Sequence, residues 1–154
     1  MTEVRWLDDA EQHAWRSFLR GQALVLEGIN SDVVENSALT LNEYEVLVRL
    51  SECEDRRTRM SNLAKDLVHS RSRLTHTVSR LEKAGYVERF PCPDDRRGII
   101  CGLTDAGFER LANAAPDHVE SVRARMIDRL EREEFLELGR IFAKLVASEE
   151  SPAT

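Results

Sequence analysis

The stretch SRSRLTHTVSRLEKAGYVERF, positions 70 to 90, concentrates hydrogen-bonding side chains on one side of a helix. At about 100° per residue, Leu74, Val78 and Leu81 fall together and face a core. Ser72, His76, Ser79 and Lys83 lie diametrically opposite, with Arg73 and Arg80 beside them. An exposed face of short hydroxyls, one imidazole and long cations suits the major groove of a DNA duplex. Serine and threonine reach either base type, and arginine can grip guanine O6 and N7 with two hydrogen bonds, worth roughly 1–3 kcal/mol of discrimination. The first turn of such a helix points at base edges. Ser72, Arg73 and His76 are therefore expected to read bases, and Thr75 adds a hydroxyl to the same DNA-facing set. Ser70, Arg71 and Arg80 are better placed for phosphates, which set register without reporting sequence.

A second candidate group follows. PDDRRG supplies turn chemistry between Tyr86–Cys92 and Ile99–Leu103, two runs rich in aromatic and β-branched residues, so a β-hairpin is expected with Asp94, Asp95, Arg96 and Arg97 at its projecting tip. A guanidinium at such a tip can enter the narrow minor groove and sense its negative potential. Arg97 is the better candidate for that role and Arg96 the alternate. Asp95, which would otherwise repel phosphate, is assigned to holding one arginine's conformation.

The flanking elements must position these groups. From Trp6 to Val34 apolar residues recur at three- and four-residue steps, as in a long amphipathic helix that ENSAL interrupts. Thr40 and Glu43 stand at capping-box spacing and open a helix over 42–52. CEDRRTR reads as a loop with room for a short strand near Met60. Ser61 is placed to cap a short helix over 62–68, and Ser70 to cap the helix over 71–84, with Gly85 as its left-handed C′ residue. Thr104 caps a helix whose apolar stripe runs from Leu111 to Leu130, with Pro116 expected to kink or break it, and a last helix carries Phe135 to Val146. The order helix, short helix, tight turn, helix, hairpin is that of a winged helix–turn–helix. The fold class is mainly α with a small β-hairpin. Residues 38–104 form the DNA-binding lobe, 1–37 and 105–148 supply dimerisation helices, and 149–154 form a frayed tail. The terminal helices carry apolar stripes longer than so small a lobe could cover, and burial against a second copy resolves this.

Composition at first argues against nucleic acid, since the 154 residues carry a formal charge of −6. The distribution of charge argues the other way. Residues 1–55 sum to −8 and residues 105–154 to −4, whereas residues 56–104 sum to +6. The local field of such a middle third, rather than the total, attracts a polyanion. No apolar run approaches a membrane span, and the acidic beginning MTEVRWLDDAEQ is unlike a signal peptide, so a cytoplasmic location is expected. GxSxG, P-loop and HExxH motifs and a glycine-rich βαβ turn are all missing, so neither catalysis nor a cofactor is expected. His13, His69, His76 and His118 are scattered without ligand spacing, which argues against a metal site.

The run SRSRLTHTVSRLEKAGYVERFPCPDDRRGIICGLTDAG resembles the core of the MarR family of bacterial transcriptional regulators. LTHTVSRLEKAGYV matches the recognition helix, DDRR the wing tip and LTDAG the opening of the next helix. LTLNEYEVLVRL and MSNLAKDL resemble the family's second and third helices. The resemblance spans about residues 38 to 110. It implies a homodimer with interlocked terminal helices, two winged helices on a pseudo-palindromic operator, and repression relieved by a small ligand or by oxidation. It also implies a cleft for aromatic or phenolic acids, which Trp15, Phe18 and Tyr44 could line, with His13 or Arg16 meeting a carboxylate. Peroxide-sensing relatives carry a cysteine near the start of the first helix; here the first is Cys53. Cys92 and Cys101, on opposite strands of the hairpin, are the remaining redox candidates. The alternative function is a winged-helix adaptor that binds protein instead of DNA, which would not need Arg73, Arg80 and Arg97 to be basic.

Overall fold

The computed structural model describes residues 4–93 and 95–150. Residues 151–154, most of the expected tail, and Asp94 of the expected wing tip lie outside the described residues, as does the side chain of Arg96. Among the described residues, six α-helices and three strands run in the order α1 (Asp9–Ser37), α2 (Leu41–Glu52), β1 (Arg57–Arg59), α3 (Met60–Asp66), α4 (Arg71–Lys83), β2 (Val87–Cys92), β3 (Asp95–Leu103), α5 (Asp105–Arg125) and α6 (Arg132–Glu150). None of these helices is long and apolar enough to cross a membrane.

Local hydrogen bonding explains most of the boundaries. The first helix starts at Asp9, not Trp6, because Asp8 and Glu11 form a reciprocal box: Glu11 N–H donates to Asp8 Oδ1 at 2.8 Å and Asp8 N–H to Glu11 Oε2 at 3.0 Å. It continues through the expected interruption to Ser37, and the chain turns at Ala38 with φ +53°. Thr40 and Glu43 form the expected capping box on α2. Ser61 does not cap α3: the chain passes directly from Arg59, paired with Ile100 in the sheet, into a helix that begins at Met60. Ser70 Oγ accepts the Arg73 N–H at 3.2 Å and so caps α4 as expected. At its other end Gly85 N–H donates to Glu82 O and Tyr86 N–H to Leu81 O, with Gly85 at φ +78°. That pattern is a Schellman motif, and glycine meets its left-handed requirement at no steric cost. Pro116 does not end α5, which runs unbroken to Arg125; a 3₁₀ turn at Ile127–Arg129 ends the stripe short of Leu130.

The sheet order is β1-β3-β2, antiparallel throughout. The expected hairpin is present, but β3 begins at Asp95 rather than Ile99, so Asp95 to Gly98 belong to a strand and not to the turn. The register jumps from Pro91↔Ile99 to Cys92↔Asp95. The regular register before this jump decides the fate of the two strand cysteines. Cys101 lies opposite Arg89, three residues from Cys92, or about 10 Å along the strand at ~3.3 Å per residue. That exceeds the roughly 7 Å Cα separation a disulfide tolerates, so the two thiols do not approach each other as their hairpin placement suggested. Burial also pushes the Cys101 thiol up to about 12, far from a reactive thiolate.

The chain divides into two compact units. Residues 30–118 pack around Val46, Leu47, Leu50, Leu63, Leu74, Val78 and Leu81, all fully or almost fully buried. Each such side chain contributes about 1.5–3 kcal/mol relative to exposure. In the same unit the Tyr44 ring lies 4.2 Å from the His118 ring, and burial holds the His118 imidazole below its ordinary 6.5. An unfolded chain therefore binds a proton at His118 that the folded chain resists. The stabilising contribution of the neutral ring is complete above pH 6.5 and is lost as pH falls from there through the lower folded value. Replacing His118 with Phe, which keeps the ring stack and removes the proton site, is expected to flatten the decline in melting temperature between about pH 7 and 5; identical slopes for both proteins would refute this. The other unit joins the chain up to Ile29 with the chain from Val119. There Trp15 stacks on Phe18 at 5.6 Å and Phe18 meets Phe142 at 5.7 Å, while Trp6, Trp15, Leu145 and Val146 are more than half exposed in the single chain.

Candidate nucleic-acid interface

The helix–turn–helix consists of α3, the turn at 67–70 and α4. Leu74, Val78 and Leu81 are buried as the helical spacing requires, and Thr77 joins them, its hydroxyl donating to the Arg73 carbonyl. Ser70, Arg71, Ser72, Arg73, Thr75, His76 and Arg80 are all exposed. The structure therefore presents the expected reading set as one solvent-facing surface. Thr75 spends its hydroxyl proton on the Arg71 carbonyl at 2.8 Å, leaving its oxygen lone pairs free to accept.

Two side chains of the polar face are occupied. Ser79 is half-buried and accepts a hydrogen bond from Arg89 Nη2 at 3.3 Å. Arg80 is not a free cation: its Nε stands 2.9 Å from Glu43 Oε1 in an ion pair. Arg71, Arg73 and Arg97 make no ion pair among the described residues.

The wing is fastened to α4 through Glu82. Its carboxylate accepts the Arg89 backbone N–H at 3.1 Å, Nε at 3.1 Å and Nη2 at 2.5 Å. These bonds hold Glu82 below the usual carboxylate range and Arg89 above its ordinary value. A fork of this kind fixes orientation as well as distance, so β2 cannot swing independently of the recognition helix.

At the other end of the wing Asp95 does hold an arginine by its side chain, Arg59, while it meets Arg97 through the backbone. Its Oδ2 accepts from Arg59 Nη1 at 3.2 Å, and its Oδ1 accepts the backbone N–H of Arg97 at 3.0 Å. The carboxylate's charge is answered by Arg59, and the Arg97 guanidinium is left exposed. Gly98 makes room for this arrangement: a Cβ there would stand 2.9 Å from Cys92 Cβ and 3.1 Å from Asp95 Oδ2. Arg59, Arg71, Thr75, Asp95 and Arg97 line a common cleft of about 350 Å³ between the start of α3, the first turns of α4 and the wing. Arg59 is the member that sequence reasoning missed. Three arginines crowd positions 56, 57 and 59, and nothing local separates the one facing the cleft from Arg56, stacked over Phe108 at 3.9 Å, or Arg57, over Phe90 at 5.4 Å.

The residues suggested for an effector cleft are distributed between the two units. His13 is exposed on α1, and Trp15 and Arg16 line an open groove with Trp6, Leu7 and Gln12. Phe18 packs on Phe142, and Tyr44 is buried against His118 in the other unit.

Comparison with known proteins agrees with this architecture. The MarR family profile matches residues 39–99. Sco3205, a MarR family transcriptional regulator from Streptomyces coelicolor solved in complex with DNA, is 39% identical with a TM-score of 0.92; the match covers 99% of this chain and 95% of that one. AbsC, a MarR family transcriptional regulator from the same organism, is 42% identical with a TM-score of 0.85, covering 94% of this chain and 97% of that one. The HTH-type transcriptional regulator PecS of Dickeya dadantii is 38% identical over 63 residues, a stretch that takes in 41% of this chain but only 38% of PecS. The capped recognition helix, the wing pinned to it and near full-length similarity to two solved members lead to one conclusion: this chain belongs to the MarR family of transcriptional regulators.

Proposed function

We propose that the protein is a sequence-specific DNA-binding transcriptional regulator, acting as a repressor, and that it binds a pseudo-palindromic operator as a homodimer. The observation that carries the reading is the juxtaposition of two exposed arginine-bearing elements, the Arg71–Arg73 face of α4 with His76, and Arg97 on the wing, whose arginines make no ion pair among the described residues, in a chain of net negative charge. The similarity to Sco3205, solved with DNA bound, supports the same partner here. In the division of labour proposed, residues 38–104 contact DNA and the helices of 1–37 and 105–148 pair two copies. The apolar side chains exposed in the single chain, Trp15, Leu19, Leu145 and Val146 among them, support the pairing. An aromatic or phenolic acid is the proposed effector.

A salt titration of binding, followed by fluorescence anisotropy, tests the reading on DNA flanking the gene that encodes the protein and on a scrambled duplex. Specific binding retains a preference of roughly 10³-fold or more while both affinities fall with salt. No binding to either duplex at low salt by folded, dimeric protein would refute it. Arg73→Ala is expected to narrow that preference by about 5- to 100-fold, because a base contact discriminates whereas a phosphate contact does not. An equal loss on both duplexes would reassign Arg73 to the backbone.

A further inference from the structure

Glu43 is a carboxylate in an unusual position: 5% exposed, yet bonded to the recognition helix. Its Oε2 accepts the Thr40 backbone N–H at 2.8 Å, closing the cap of α2, and its Oε1 lies 2.9 Å from Arg80 Nε in an ion pair. The pair approaches through Nε and the Arg80 side chain remains 56% exposed, so its two Nη groups keep donors to offer a further partner. Arg80 opens onto a recess of about 220 Å³ that it shares with Thr40, Asn42, Arg73 and His76. Glu43 is the one carboxylate among the lining residues, and both of its oxygens are already engaged. What remains to face an incoming group is two guanidinium forks, an imidazole and an amide. That is a seat for an anion.

We infer that Glu43 is a positioning residue, which aims the free fork of Arg80 at a DNA backbone phosphate seated in this recess, with Asn42 as a further contact from α2. The inference deepens the DNA-binding reading and rests on it. Its consequence has an unusual sign. A buried acid beside a polyanion site would, by charge alone, weaken binding, and its neutralisation would tighten the complex. If Glu43 instead works by holding Arg80 in register, its neutralisation loosens the complex. Arginine's advantage at a phosphate lies in the orientation of its planar fork, and that orientation is lost when the partner of Nε is lost.

The test is a salt titration of the full-length protein on an arbitrary duplex, since a phosphate contact carries no sequence information. Glu43→Gln keeps an acceptor at the third helical position, where glutamine also completes a capping box, so the fold survives. Its single carbonyl oxygen cannot serve both Thr40 and Arg80 as the carboxylate does. Glu43→Gln is expected to weaken binding about tenfold and to make the salt slope shallower by about one. Arg80→Ala, a substitution at an exposed position, is expected to do the same, and the double variant to bind no more weakly than either single one. Loss of stability without this change in slope would mark Glu43 as merely structural and overturn the inference. So would equal or tighter binding by Glu43→Gln, or losses that add in the double variant. Wild-type protein that binds no duplex at low salt would defeat the DNA-binding reading and the inference together. Wild-type binding that Arg97→Ala weakens but Glu43→Gln and Arg80→Ala leave intact would defeat the inference alone.

Discussion

Replacing Gly107 with alanine is expected to destabilise the protein by about 3 kcal/mol or more and to lower its melting temperature by roughly 6–12 °C. A Cβ at Gly107 would stand 2.0 Å from the Tyr86 carbonyl oxygen, 2.9 Å from the Tyr86 carbonyl carbon and 2.8 Å from Leu103 Cδ1. The first of these is backbone, and that backbone is held from several sides. Tyr86 N–H closes the Schellman motif on Leu81 O, and Tyr86 O accepts the Thr104 N–H at 3.1 Å. Thr104 Oγ1 in turn donates to Gly85 O at 2.7 Å while accepting the Gly107 N–H at 3.0 Å. The start of α5 is thus stitched to the residues where the recognition helix gives way to the wing, and an added methyl must prise that junction open. Urea denaturation of the purified variant checks the expectation, with an unchanged midpoint as the refuting result. Because Tyr86 adjoins β2, affinity for DNA should fall with stability rather than separately from it.

The second large effect is expected at the wing tip. Arg97→Ala should weaken DNA binding by about 10- to 100-fold while leaving stability within about 0.5 kcal/mol of wild type. The separation follows from what each part of Arg97 does. Its backbone N–H, which alanine retains, donates to Asp95 Oδ1 and helps to shape the tip. Its guanidinium is exposed and makes no ion pair among the described residues, so its removal leaves no partner stranded. Anisotropy with the preferred duplex, alongside thermal melting, measures both halves. Unchanged affinity would remove the wing from the interface, and a large drop in stability would show that the side chain serves the fold.

Much of the recognition unit was legible because its determinants are short-range. Ser70 capping Arg73, Thr40 boxed with Glu43, Thr104 capping Gly107 and the left-handed Gly85 all depend on residues close together in the chain. Helical periodicity then dictated which side of α4 faces the core, since Leu74, Val78 and Leu81 can share a face in only one way. What the tertiary structure alone decided is the partner of each charge. Asp95 found Arg59 across 36 positions, Glu82 found Arg89 rather than Lys83 or a neighbour along its helix, and Arg80 was claimed by Glu43. Every carboxylate in that region had several arginines within plausible reach, and composition cannot rank them. The strand pairing, which sets Cys101 opposite Arg89 and then jumps after Pro91 to bring Cys92 opposite Asp95, was likewise a matter of register. Register is settled by burial on a sheet that also needs β1, a strand far earlier in the chain. The sequence by itself therefore determined the reading helix and its wing as elements, through local hydrogen bonds and apolar periodicity. Packing between distant segments determined which cations are free to meet a phosphate or a base, because an ion pair is chosen by proximity in space and not by residue type.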